Sequence, residues 1–140
     1  MKSWFALGLV ALAVPVAALA FDDEKSYTVK EVMNKLHKGS TSGQKALEKL
    51  AQANPPDWEE IGKTTKDFVI LGAAMAKNDP PKGEKESWKK LNDKYYETAK
   101  ALDDAAHDKD LDKLKDAQKT MGASCKACHQ AHQPKKNEKK

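Results

Sequence analysis

The sequence predicts an all-α protein, specifically an antiparallel four-helix bundle, and three observations predict it. No segment alternates apolar and polar residues with period two over the length of a strand. β-branched residues, which favour strands, are sparse. Apolar residues instead recur at spacings of three and four in runs of helical length, separated by proline pairs and a glycine-rich stretch.

The elements follow in order. Thr28-Val29-Lys30-Glu31 has the form of a capping box, in which the threonine hydroxyl and a glutamate three residues on satisfy free N–H groups of the first turn. The helix it opens carries Val29, Val32, Met33 and Leu36 on one face. Gly39-Ser40-Thr41-Ser42-Gly43 interrupts it, and Ala46, Leu47, Leu50 and Ala51 resume the pattern, so this section is one broken helix or a helix followed by a shorter one. Pro55-Pro56 closes it. Asp57, with Glu60 three residues on, starts the second long helix, whose stripe is Trp58, Ile61, Phe68, Leu71 and Met75 and which ends near Lys77. Asn78-Asp79-Pro80-Pro81-Lys82-Gly83 is a stop and turn. The third helix spans about Glu84 to Ala106, with Trp88, Leu91, Tyr95, Ala99, Leu102 and Ala106 on its face. A turn around His107 to Asp110 leads into the fourth, which carries Leu111, Leu114, Ala117, Met121, Cys125 and Cys128. Four amphipathic helices with short connections pack naturally as an antiparallel bundle.

That last helix contains the one stretch whose chemistry is specific, Cys125-Lys126-Ala127-Cys128-His129. Cys-x-x-Cys-His is the attachment signature of c-type haem. Two thiols at that spacing add across the two vinyl groups of the porphyrin, and the adjacent histidine presents an imidazole to the iron as proximal ligand. The chain has 2 cysteines, both in this motif, so no disulfide framework accounts for them. Two rivals remain. A dithiol redox pair usually opens a helix in a βαβ setting, which this chain lacks. A zinc site of Cys125, Cys128, His129 and His132 has an acceptable donor set, but ligands crowded into one short stretch wrap a single ion poorly. The motif therefore predicts one covalently bound haem c, with Cys125 and Cys128 as its thioethers and His129 as its proximal iron ligand, attached near the C-terminal end of the last helix.

The N-terminus agrees with that prediction. Lys2 precedes an apolar run from Trp4 to Leu19, Ala18-Leu19-Ala20 is a small-x-small cleavage site, and Asp22-Asp23-Glu24 follows at once. Residues 1–20 thus read as a cleaved secretory signal peptide rather than a membrane span, for which the run is slightly short. Covalent haem attachment belongs outside the bacterial cytoplasmic membrane, so a periplasmic or otherwise exported protein without stable membrane insertion is expected. The expected organisation is then a leader at 1–20, a bundle at 21–134 and a basic tail at 135–140.

Lysine and arginine number 25 against 21 acidic residues, a formal charge of +4, and every one of the basic residues is lysine. Nucleic-acid recognition, which draws on bidentate arginine, is not expected. The opposite charges are interspersed, as on a solvated surface.

A cysteine motif at the end of the last of four helices resembles the class II c-type cytochromes, the cytochrome c′ group. Met121-Gly122-Ala123-Ser124-Cys125-Lys126-Ala127-Cys128-His129 is similar to that group's last-helix signature, and Val29 to Lys38 is similar to its first helix. The resemblance implies a haem sandwiched in the bundle and a distal position filled from the first helix, either by a methionine that ligates the iron or by an apolar residue that blocks it. Met33 stands there and is the favoured distal ligand, giving a six-coordinate iron of raised potential suited to electron transfer. His37, one turn on, is the alternative distal ligand. With neither bound, the iron would be five-coordinate and open to nitric oxide or carbon monoxide. The group's arginines near the haem propionates are missing, and Lys30 or Lys126 would have to serve as point charges. The function that follows is a monohaem single-electron carrier, not an enzyme, working with redox partner proteins; relatives of this class often dimerise through their first two helices.

Overall fold

The computed structural model describes residues 26–135. The expected leader at 1–20 and the end of the basic tail at 136–140 lie outside the described residues. Among the described residues there are five helices and no strand: α1 (Val29–Leu36), α2 (Gly43–Gln52), α3 (Trp58–Ala76), α4 (Lys85–His107) and α5 (Leu111–His132). This is the all-α four-helix architecture, with α1 and α2 together forming its first arm.

Local chemistry sets the boundaries. Both halves of the capping box form at α1: Thr28 N donates to Glu31 Oε2 at 2.8 Å, and Glu31 N donates to Thr28 Oγ1 at 3.3 Å. Asp57 and Asp110 cap α3 and α5, their carboxylates accepting from Glu60 N at 3.1 Å and Lys113 N at 3.0 Å. The first arm breaks because Gly39 lies at φ +89°, a left-handed conformation that glycine adopts without steric cost.

α3 packs along α4 and α4 along α5, while α2 rests on α3 and α5, and α1 on α3 and α2. Cross-helix hydrogen bonds show the antiparallel arrangement. Thr65 Oγ1 on α3 donates to Asp103 Oδ1 on α4 at 2.7 Å, and Ser87 near the start of α4 meets His132 at the end of α5 at 3.0 Å. The predicted stripes form the core: Phe68, Leu71 and Met75 from α3, Leu102 from α4, and Leu114 and Met121 from α5 are all buried. Each such side chain contributes about 1.5–3 kcal/mol by leaving water. Trp88 belongs to this core, with its Nε1–H donating to the Asn78 carbonyl at 2.8 Å. Trp58 is half-buried against the same cluster.

Two polar residues sit where periodicity alone places apolar ones. Thr65 is accepted through its bond to Asp103, and Asn92 through donation of its Nδ2–H to the Trp88 carbonyl at 2.8 Å. Among the described residues no helix is long and apolar enough to cross a membrane.

Candidate haem site

The backbones of α1 and α5 do not approach each other among the described residues, although both belong to the same bundle. A cavity of about 220 Å³ lies between their side chains. Met33 and His37 line it from α1, and the face of α5 from Ser124 to His129 lines the opposite side. Met75 of α3 and Leu91, Asn92, Lys94 and Tyr95 of α4 form the remaining wall.

Helical spacing brings each of these side chains in. On α5 the buried positions Leu114, Ala117 and Met121 advance by threes and fours, and the same face continues to Cys125 and Cys128, both half-buried. Ser124 Oγ donates to the Met121 carbonyl at 2.7 Å, which keeps that hydroxyl on its own helix. His129 follows one turn after Cys125 and is exposed at the cavity's rim. On α1, burial of Val32 and Leu36 turns the half-buried Met33 toward α5. His37 caps the helix, its backbone N–H donating to the Met33 carbonyl at 3.0 Å.

The polar side of the cavity is tightly bonded. His37 Nδ1–H donates to Gln44 Oε1 at 3.0 Å, and the Tyr95 hydroxyl donates to His37 Nε2 at 2.8 Å. Burial holds the His37 imidazole below its ordinary pKa, and the nearby His129 acts in the same direction against the opposing bond to Gln44. Burial therefore favours the neutral imidazole of His37. Burial pushes the Tyr95 phenol far above its usual range, with the Cys125 and Cys128 thiols adding to the shift, so Tyr95 stays an O–H donor. Burial and the adjacent Cys125 also raise Cys128. A reactive dithiol needs the opposite shift.

The structure thus brings together Met33, His37, Cys125, Cys128 and His129. Other sequence expectations fall elsewhere. Lys30 is exposed on α1 and does not line the cavity, nor does Lys126. Lys94 does, and sequence reading missed it because α4 carries lysines along its whole polar face. His132 leaves the motif: Nδ1–H donates to the Lys82 carbonyl at 2.6 Å, Nε2 accepts from Ser87 Oγ at 3.0 Å, and the ring stands edge-on to Trp88 at 5.2 Å. Among the described residues no group of three or more His, Cys, Asp and Glu side chains is arranged to hold a metal ion.

The residues fit a haem c. Two thiols and an imidazole stand on one wall and a thioether on the other, which is the donor set of c-type attachment and axial ligation. Asn92 completes the α4 wall of the cavity, its Nδ2–H committed to the Trp88 carbonyl at 2.8 Å. The cavity is smaller than the roughly 300–1,000 Å³ of pockets that enclose a whole ligand, which suits a group left partly open to solvent at its edge.

An all-α bundle whose last helix opens Cys-x-x-Cys-His onto a cavity beneath its first helix is an arrangement suited to covalent attachment of a haem c. Residues 82–133, which comprise α4 and α5, match the family model described as Cytochrome C', and with the bundle this supports a class II c-type cytochrome. That family carries haem c, which is the cofactor the match implies. No curated protein and no solved structure matches the chain.

Proposed function

We propose that this chain is an exported monohaem cytochrome that carries single electrons between redox partner proteins and is not an enzyme. The observation that supports this reading best is the placement of the Met33 thioether across one cavity from the Cys-x-x-Cys-His stretch. Cys125 and Cys128 would hold the haem as thioethers, with His129 as proximal and Met33 as distal ligand. When bound, the group supplies a reversible Fe(II)/Fe(III) couple, and methionine ligation raises its potential.

The chain's own contribution is position and environment. Met75 and Leu91 present apolar surface that excludes water from the cavity wall. Lys94 stands at the cavity and replaces Lys30 as the better-placed partner for a propionate. His132 ties the end of the motif-bearing helix to the α3–α4 turn through the Lys82 carbonyl, so the haem-bearing segment is held by packing beyond the motif itself. Residues 1–20 act as a leader for export, and the mature domain is 21–134 with a basic tail. A second copy of the chain is a candidate partner.

The mainly apolar wall also favours a second reading should the thioether stay off the iron: a five-coordinate haem that binds nitric oxide or carbon monoxide. Absorption spectra of the purified protein, oxidised, reduced, and reduced under carbon monoxide, separate the two. A low-spin spectrum with a weak sulfur-to-iron band when oxidised, unmoved by the gas, is the expected result. A high-spin spectrum that shifts under carbon monoxide would give the function to gas binding.

A further inference from the structure

Met33 and His37 both reach the cavity from α1, one turn apart, and imidazole is a common iron ligand in its own right. Something must decide between them. We propose that Tyr95 decides the distal ligand by occupying His37 Nε2, the one ring nitrogen of that histidine with a lone pair to offer; this rests on the haem reading above. Tyr95 is then a positioning residue, acting on the iron through His37.

The geometry is that of a clamp across three helices. His37 at the end of α1 donates from Nδ1 to Gln44 Oε1 on α2 at 3.0 Å, which fixes the tautomer and leaves Nε2 bare. Gln44 in turn donates from Nε2 to Glu48 Oε1 at 3.5 Å, which sets the orientation of its amide. The Tyr95 hydroxyl on α4 fills the bare nitrogen at 2.8 Å. The imidazole cannot easily swing away, because the rings of Phe68 and Tyr95 both stand edge-on to it with centroids 5.7 Å distant. Tyr95 is itself held: it is buried, and its ring lies against Gly72 of α3 so closely that a Cβ there would be 3.1 Å from it. Ligation by His37 would break the phenol bond and strand a hydroxyl inside the bundle. Met33 makes no such bond and remains the available donor.

Removing the single oxygen of Tyr95 should reverse the choice. In full-length haem-bearing Tyr95→Phe the sulfur-to-iron band should vanish, a bis-imidazole low-spin spectrum should replace it, and the reduction potential should fall. Adding His37→Phe to that variant should abolish the bis-imidazole signature. If the wild-type iron proves five-coordinate, the electron-carrier reading fails, yet Tyr95→Phe should still become six-coordinate with two imidazoles. Nitrogen-15 spectra of histidine in the wild-type protein need no variant: His37 should be protonated at Nδ1 and bare, hydrogen-bonded at Nε2. A haem-bearing Tyr95→Phe with unchanged ligands, or a wild-type His37 protonated or metal-bound at Nε2, overturns the proposal alone. A purified chain without covalent haem overturns it together with the functional reading.

Discussion

Gly83 offers a quantitative test of how the last helix, α5, is anchored. It sits in the α3–α4 turn at φ +81°, and a Cβ placed there would come within 2.8 Å of the Ala131 carbonyl oxygen and 3.1 Å of His132 Nδ1. Gly39 has nearly the same backbone, φ +89°, but a Cβ on it would meet nothing within 4 Å. Alanine at either position incurs the left-handed backbone cost of about 1–2 kcal/mol, and both gain the same small amount from a stiffer unfolded chain. The difference between them therefore isolates the packing. At Gly83 the yielding partners are the backbone of α5 and the His132–Lys82 bond of 2.6 Å, with the His132–Ser87 bond beside it. Weakening these at about 0.5–1.5 kcal/mol each makes Gly83→Ala about 1–3 kcal/mol more destabilising than Gly39→Ala. Denaturant unfolding of the haem-loaded variants, followed by far-ultraviolet circular dichroism, measures the difference directly. In a thermal scan it corresponds to a further fall in Tm of about 4 °C per kcal/mol for a domain of this size. Equal destabilisation of the two variants would refute the account of how α5 is held.

Three further outcomes test the site. Met33→Ala should convert a low-spin iron to high-spin; an unchanged spectrum would remove Met33 from the iron and make His37 the next candidate. Cys125→Ala or Cys128→Ala should leave a single thioether and shift the reduced absorption band, and an unmoved band would undo the covalent assignment. Lys94→Ala should perturb the reduction potential more than Lys30→Ala, because Lys94 lines the cavity and Lys30 does not; equal effects would remove Lys94 as the propionate partner.

The sequence by itself determined the helices and the stretch on which the candidate site is built. Thr28 with Glu31, Asp57 and Asp110 mark helix starts because capping is a contact between residues three apart, written wholly in local sequence. The stripes through Phe68, Leu102 and Leu114 are legible for the same reason: helical period links positions three and four apart. The Cys-x-x-Cys-His motif is local as well, and its two cysteines have no competing partners in the chain. The tertiary structure decided everything that depends on neighbours distant in sequence. His37 stands in the sequence only as an alternative iron ligand one turn after Met33, and the fold alone brings it against Tyr95, 58 positions away, and bonds it at both nitrogens. His132 shares the spacing of the haem motif, but packing of α5 against the start of α4 draws it to Lys82 and Ser87 instead. Lys94 faces the cavity while Lys30 does not, because helix rotation within the bundle is set by the burial of all faces at once. Periodicity says which residues share a face; what that face meets is fixed only when the helices pack.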